Sequence, residues 1–493
     1  MSTRIDEIET KVKIFFLPFI VGSGHLGPMI NAARLFATHP QVKVKIITTP
    51  RNADLFQNII NHAHEAGHDI SFVTVELPTA KVGLPDNIDG ILNSTSNEVK
   101  AKLFKAIFML KGTILDILVE NRADCLVTDP LYPWALDVSK AVEVPWIVFH
   151  SSSLFVLCAQ DSLTRFTPHH TVGSDSEPFF LPGLPDRVYF TRSGIPDSFR
   201  GQTVGAEFLD AVQRSVEQSY AMMVNSFDEL EVSYVDYCKR VLRRKRLFLV
   251  GPLHCYSAIK MSDDKHNGDG KIDSTMQWLD SKLPNSVVYV SFGSYAALCR
   301  EQSHELAFGL ESSGKPFVWV ARVNLFDENW FPMGFEDRIK KSNQGLIIKE
   351  WAPQVSILSH PSVGAFMTHC GWNSILEGLS SGVTMITWPL RAEQFFNESL
   401  VVDVLKVGIR VGNEEWMSED AEPKLNVSKE KVAVAVARMM DGGEEVVGMR
   451  KRVEEYMVKC KEAVEVGGSS YQHVYDLVDD LKTLRKSSKS MTS

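Results

Sequence analysis

Residues 351–394 read WAPQVSILSHPSVGAFMTHCGWNSILEGLSSGVTMITWPLRAEQ. The apolar run Val363–Met367 has the length of a buried strand. It enters the turn Thr368-His369-Cys370-Gly371, and a helix is predicted to start near Trp372-Asn373-Ser374. A strand feeding a helix through a short glycine turn is a unit of a parallel α/β sheet. The helix N-terminus presents free N–H groups and a positive dipole end, which suits a phosphate. Gly371 permits close approach there, and His369 and Ser374 can donate to phosphate oxygens. Ser374 and Glu377 are three apart and share a helix face, so a carboxylate stands one turn beyond the phosphate position. Such a group can accept two ribose hydroxyls. Trp351 offers a flat face to a nucleobase, and Glu393-Gln394 offers polar groups to sugar hydroxyls. Taken singly, Trp351 and Trp372 fit ordinary core or surface aromatics, and His369 and Cys370 fit packed residues. Their joint spacing is what favours a base, a ribose, a diphosphate and a sugar held in sequence.

The same rhythm extends outward on both sides. Towards the N-terminus the predicted strands are Phe317–Ala321, Leu346–Lys349 and Val287–Phe292, the last entering Gly293-Ser294; Met385–Trp388 follows the quoted helix. Before residue 254 a second series runs Lys13–Ile20, Val42–Thr48, Asp124–Thr128, Trp146–Phe149 and Arg246–Val250. Apolar residues at helical spacing lie between the first two, in His25–Thr38. The polar, turn-rich stretch from His254 to Gly270 separates the two series and reads as a linker. Two domains also follow from length, because 493 residues exceed the ~250–300 at which a single core stops growing.

Composition removes several classes of function. The chain is 44% hydrophobic and 23% charged, with 52 basic against 61 acidic side chains and a net charge of −9. This is globular composition, without the clustered positive charge that a nucleic acid or an anionic membrane face requires. Seven cysteines are scattered without a CxxC pair. No disulfide framework, no structural zinc and a reducing compartment are therefore expected. The leader MSTRIDEIETKVK is too acidic for a signal peptide, and no apolar run reaches ~18 residues. A cytoplasmic protein without membrane insertion is the expectation. No carboxylate cluster has metal-ligand spacing; Asp263-Asp264 reads as solvated linker charge.

Near the N-terminus, Gly22-Ser23-Gly24-His25-Leu26-Gly27 fits G-x-G-x-x-G between a strand and a helix, a dinucleotide-binding pattern. Two features weaken that reading. No acidic residue follows the second strand, where Arg51 stands instead, and the bulky His25 occupies the turn. Alternatively His25 is itself the working group. Its ordinary pKa lies near neutrality, and at the carboxyl end of a first parallel strand it projects into the ligand crevice. Asp129, at the end of Cys125–Val127, is the carboxylate able to fix its tautomer. Without the second half of the chain, a capping histidine and a turn-forming aspartate would fit as well.

The 351–394 segment resembles the signature box of plant secondary-product glycosyltransferases, which transfer sugar from UDP-sugars to small lipophilic molecules. The likeness continues through His25 and its loop, Val287–Ser294 (VVYVSFGS), Asn225–Glu231 (NSFDELE) and Gly467–Ser470. It implies α/β architecture with two facing Rossmann-like domains, the GT-B arrangement, around an interdomain cleft. It further implies that Trp351 stacks on uracil with the Ala352 backbone at the base edge, and that Gln354 and Glu377 hold the ribose. His369, Asn373, Ser374 and Ser294 would bind the diphosphate, and Trp372, Glu393 and Gln394 the sugar. His25 would deprotonate the acceptor, oriented by Asp129. Two departures stand out: Thr384 replaces a usual proline and is expected to loosen its turn, and Glu393 replaces the commoner aspartate. Gln394 resembles the glucose-using majority.

The organisation expected is an acceptor-binding domain at 1–252, a linker at 253–274 and a UDP-sugar-binding domain at 275–466. A helix at 467–485 would return to the first domain, followed by a disordered tail at 486–493. The expected activity is inverting transfer of a hexose, glucose foremost, from a UDP-sugar co-substrate, without metal or other cofactor, by a monomer. Phe19 and the Ser151–Phe155 region, Phe155 included, suggest a greasy acceptor pocket. Phrases such as ARLFA (33–37), LPGLPD (181–186) and AEQFFNE (392–398) resemble the saponin and flavonoid branch, favouring a triterpenoid or steroid acceptor over a flavonoid. The competing readings are an NADP-dependent oxidoreductase built on Gly22–Gly27 and a non-catalytic nucleotide-sugar-binding protein of the same fold.

Overall fold

The structure is a computed structural model that describes residues 11–85, 96–201, 206–244, 246–256, 270–293, 298–321, 329–418 and 421–491. In the N-terminal half the strands are β1 (Val12–Leu17), β2 (Val42–Thr48), β3 (Ile70–Thr74), β4 (Cys125–Thr128), β5 (Trp146–His150), β8 (Ala221–Val224) and β9 (Leu247–Leu249). All seven are parallel, in the order β3-β2-β1-β4-β5-β8-β9. A small antiparallel pair, β6 (Phe179–Phe180) and β7 (Tyr189–Phe190), stands apart from this sheet. Alternation along β1 sends Phe15 and Leu17 into the core on one face and Ile14 and Phe16 into the core on the other. A sheet buried on both faces needs near-continuous apolar strands, which these are.

The C-terminal half repeats the plan with β10 (Val287–Ser291), β11 (Phe317–Val320), β12 (Gly345–Ile348), β13 (Val363–Thr368), β14 (Thr384–Thr387) and β15 (Gly408–Arg410). These pair in parallel in the order β12-β11-β10-β13-β14-β15. Strand order reverses beside the first strand of each sheet, between β1 and β4 and between β10 and β13. Crevices open at the carboxyl ends of the strands at such points.

Several boundaries differ from expectation for local reasons. β1 stops at Leu17 because Pro18 has no N–H to continue the ladder. The helix Gly270–Asp280 occupies the end of the expected linker, while residues 257–269, with Asp263-Asp264, lie outside the described residues. The last helix runs Ser469–Met491, through positions expected to be frayed. Thr384 does not loosen its turn: it opens β14, is buried, and its hydroxyl donates to the Gly364 carbonyl at 3.1 Å. Strands β3, β6, β7, β8 and β15 had no sequence expectation.

The last helix crosses back to the N-terminal sheet. Val474, Leu477, Val478 and Leu481 pack into the core beneath β1 and β2. Ser470 Oγ donates to the Gly251 carbonyl at 2.6 Å, Tyr220 OH to Asp480 at 3.2 Å, and Lys482 to Gln41 at 2.7 Å. Four buried aliphatic side chains at about 1.5–3 kcal/mol each rival the about 5–15 kcal/mol net stability of a typical domain. Leu477→Ala should therefore cost about 2–5 kcal/mol, seen as an earlier denaturant midpoint. An unchanged midpoint would show that this helix does not hold the N-terminal sheet.

Candidate active site

Adjacency of β1 and β4 creates the first half of the site. Leu17 pairs with Thr128, so the residues just beyond, the His25 loop and Asp129, converge at the reversal point. Helix α1 (Ser23–Ala37) is capped by Gly22 without a side-chain bond. A Cβ on Gly22 would lie 2.9 Å from the Phe19 ring, so the turn requires glycine. His25 then stands in the first helical turn with Nδ1 2.7 Å from Asp129 Oδ2. Asp129 is 1% exposed, and its other oxygen accepts the Leu131 N–H at 3.0 Å. The His25 side chain is 40% exposed. In neutral His25 the Nδ1–H donates to the carboxylate, which leaves the Nε2 lone pair as the basic site.

Burial works against the His25 imidazolium, but attraction to Asp129, the hydrogen bond to it and the Glu393 carboxylate outweigh burial and raise the pKa above 6.5. Glu393 belongs to the other half of the chain, and the two halves meet at these edges, where Asn225 Nδ2 donates to Asn373 Oδ1 at 3.2 Å and Ser153 Oγ to Asn397 Oδ1 at 3.4 Å.

The second half of the site is built at the β10/β13 reversal. Gly293 and His369 meet there: a Cβ on Gly293, which has φ +71°, would lie 2.6 Å from the His369 ring. Gly371 is constrained likewise, its missing Cβ lying 2.5 Å from His369 Nε2. Between them Cys370 adopts φ +65°, and its carbonyl is held by Asn397 Nδ2 at 3.0 Å. Burial pushes the His369 pKa down to about 4, against a backbone hydrogen bond at Ser291. His369 is therefore neutral rather than a cation at neutral pH. The helix Trp372–Ser380 begins at Gly371 with no side-chain cap, so its first N–H groups face the crevice as expected for an anion site.

Gln354, Ser374 and Glu377 form one network. Gln354 Oε1 accepts from Tyr289 OH at 3.3 Å, and its NH2 donates to Ser374 Oγ at 3.2 Å and Glu377 Oε2 at 2.5 Å. Ser374 Oγ, already accepting, keeps its own proton to give. Trp351, beyond the end of β12, is 66% exposed, an unusual state for so large a ring. Ala352 beside it is buried. Gln394 is oriented by two backbone donors, Leu390 N–H at 2.9 Å and Arg391 N–H at 3.0 Å, both to Oε1. Its NH2 is the edge left over.

Three expected positions need correction. The Trp372 ring is 2% exposed, with Nε1 donating to the Asn225 carbonyl at 2.7 Å, so it has no surface for a sugar; only its backbone at the helix N-terminus remains available. Phe155 is fully buried against Tyr234, and its N–H donates to Glu231 at 2.8 Å, so it lines no pocket. Phe19 is buried too, packed against His25 with ring centroids 5.8 Å apart; it supports the imidazole. Ser294 lies outside the described residues. His150, at the end of β5, was missed: burial takes its pKa down to about 4, with Asp129 opposing and Arg244 and His25 assisting. Asn225, within NSFDELE, carries no local signal of a place in the site. Among the described residues no group of three or more His, Cys, Asp or Glu could hold a metal, and no helix is long and apolar enough to cross a membrane.

Two doubly wound lobes with opposed crevices are the GT-B arrangement of sugar-nucleotide-dependent transferases. The crystal structure of Glycyrrhiza uralensis UGT73P12 complexed with glycyrrhetinic acid 3-O-monoglucuronide matches with a TM-score of 0.90 and 36% identity, covering 98% of both chains. A family model described as UDP-glucoronosyl and UDP-glucosyl transferase matches residues 42–427. The anthocyanin 3'-O-beta-glucosyltransferase of Gentiana triflora is 41% identical, covering 96% of this chain and 99% of the relative. The scopoletin glucosyltransferase of Nicotiana tabacum is 42% identical over 96% and 98% respectively. The chain belongs to the UDP-glucoronosyl and UDP-glucosyl transferase family, and it is a transferase; the oxidoreductase reading of Gly22–Gly27 falls with that result.

Asp129→Asn removes the carboxylate charge that most raises the His25 pKa and leaves burial, so His25 should titrate below its wild-type midpoint in an NMR pH series. The linked stability has a definite sign. With its folded pKa above 6.5, the His25–Asp129 pair stabilises fully below pH 6.5 and loses this effect as pH rises through the folded value. His369 acts oppositely, its contribution being present above pH 6.5 and lost as pH falls towards about 4. A His25 midpoint unmoved by Asp129→Asn would refute the assignment of the pair.

Proposed function

We propose that this protein transfers a hexose, glucose foremost, from a UDP-sugar to a hydroxyl of a lipophilic plant natural product with inversion at the anomeric carbon. The supporting observation is the Asp129-paired His25 on one lobe, held within electrostatic reach of Glu393 on the other. His25 Nε2 takes the acceptor hydroxyl proton. The acceptor oxygen forms its bond to the anomeric carbon as the bond to the diphosphate oxygen breaks, and UDP leaves with the electron pair. Asp129 steadies the imidazolium that results.

The donor lobe, 275–466, would carry the nucleotide, with 1–252 receiving the acceptor. Trp351 stacks on uracil beside the Ala352 backbone. Glu377, oriented by Gln354, accepts the ribose hydroxyls. The N–H groups of the helix Trp372–Ser380, with Asn373, Ser374 and His369, meet the diphosphate and its developing charge. Gln394 presents its NH2 and Glu393 its carboxylate to the sugar, one a donor and the other an acceptor.

For the acceptor, a triterpenoid or steroid skeleton or its glycoside is our first choice. The likeness to a structure holding glycyrrhetinic acid 3-O-monoglucuronide supports it. A flavonoid is second, favoured by the anthocyanin-glucosylating relative. A monomer is proposed because both crevices come from one chain. A cytoplasmic location is supported by the Cys158 and Cys238 thiols, whose Sγ atoms stand 3.6 Å apart without a disulfide bond.

UDP-sugars crossed with lipophilic acceptors, read by mass gain of the acceptor, should give hexosylated triterpenoid with UDP-glucose. His25→Ala should lower turnover ~10²–10⁴-fold with UDP affinity nearly unchanged by calorimetry. Glu377→Ala should weaken UDP binding by about 1.5–3 kcal/mol. Near-full turnover in the first variant would place the base elsewhere, and unaltered UDP affinity in the second would remove the ribose assignment.

A further inference from the structure

Asn225 stands in the N-terminal half, just past β8, and is 3% exposed. Four hydrogen bonds converge on it from different elements. Its backbone N–H donates to the His150 carbonyl at 3.0 Å, tying it to the end of β5. Its backbone carbonyl accepts from Trp372 Nε1 at 2.7 Å. Its side-chain Oδ1 accepts the Leu253 N–H at 3.1 Å, and its Nδ2 donates to Asn373 Oδ1 at 3.2 Å. Space is reserved for this amide: a Cβ on Gly251 would lie 2.5 Å from Asn225 Oδ1.

The polarity of these bonds follows from chemistry alone. A backbone N–H can only donate, so the Leu253 contact fixes which end of the Asn225 amide is oxygen. The other end is NH2 and faces Asn373. An NH2 group needs an acceptor, so the Asn373 amide must turn its oxygen to Asn225, leaving its own NH2 as the opposite edge. Asn373 is the second residue of the helix Trp372–Ser380, whose N-terminus the proposed function gives to the diphosphate.

We propose that Asn225 is a positioning residue of the donor site: through Leu253 it sets the amide polarity of Asn373 so that a donor, not an acceptor, faces the UDP phosphates. It acts from the lobe opposite the nucleotide, and through Trp372 it holds the same helix terminus against that lobe. A reversed Asn373 amide would aim its carbonyl dipole at an anion. The inference rests on the UDP reading of this terminus.

The test measures UDP by calorimetry and KM for each substrate in Asn225→Ala, Asn225→Asp, Asn373→Ala and the double variant Asn225→Ala/Asn373→Ala. Asn225→Asp is nearly isosteric, keeps the Leu253 bond and loses the donor, so it guards against misfolding of the alanine variant. The expected result is a roughly tenfold rise in KM for the UDP-sugar and in UDP Kd for Asn225→Ala, and at least that for Asn225→Asp. The acceptor KM should stay within about twofold and the double variant should be no worse than Asn373→Ala, since the effect passes through that residue. Additive losses, or equal rises in both KM values with a lowered melting temperature, would overturn the positioning role. If Asn373→Ala itself leaves UDP affinity unchanged, the donor-site reading fails instead.

Discussion

A parallel sheet has chemistry to offer where its strand order reverses, because only there do two neighbouring carboxyl ends lose the crossover that would cover them. In this chain the constraint operates twice. The β1/β4 reversal brings the His25 loop to Asp129, residues separated by 104 positions. The β10/β13 reversal brings Gly293 to His369 and the helix N-terminus that follows. Since all strands of a sheet point one way, each lobe has a single reactive edge, and a two-substrate reaction requires those edges to face. The joint ensures that they do. Trp372 is pinned to Asn225, and Ser153 Oγ donates to Asn397, whose amide in turn holds the Cys370 carbonyl. Left-handed Cys370 costs about 1–3 kcal/mol for a residue with a Cβ, offset by being bonded on both sides in a fully buried turn.

The two histidines at these edges show how environment divides one residue type into two tools. Both are disfavoured as cations by burial. His25 has a buried carboxylate at 2.7 Å and a second acidic group across the cleft, and its pKa rises. Among the described residues His369 has no carboxylate partner, and its pKa drops to about 4. The first can hold a proton taken from a hydroxyl; the second stays neutral. An imidazolium at His369 would bind UDP more strongly after transfer as well as before it. That would help the ground state and the product as much as the transition state.

Legibility from sequence followed the range of the interactions. The strand–turn–helix around His369 was readable because its apolar run, glycine and helical spacing lie within a few residues. The pairing of His25 with Asp129 was readable because both sit at strand ends in a recurring pattern. Strand β3 is only partly buried at a sheet edge, β8 (AMMV) is rich in Met rather than β-branched residues, and β15 (GIR) offers one aliphatic side chain. Phe155 and Trp372 misled for one reason: an aromatic near a site can line it or support it, and only tertiary packing decides. Nothing local in NSFDELE shows that Asn225 meets a helix 148 positions away.

A common rule governs the amides around the cleft. A primary amide is ambiguous, able to donate or accept at nearly the same place, and an ambiguous group discriminates poorly between ligands. Here the ambiguity is removed from within the fold. Gln394 Oε1 receives two backbone N–H groups, Asn397 is set by the Cys370 carbonyl, and Asn225 by the Leu253 N–H. Gln354 is ordered at both ends, by the Tyr289 hydroxyl and by Glu377. Each constraint comes from the backbone or from an otherwise fixed side chain, so it persists before any ligand arrives. Preorganised donors of this kind need no reorientation as negative charge develops on a leaving diphosphate, which is where fixed dipoles contribute most. The acidic Glu393 beside Gln394 adds to the field that raises the His25 pKa.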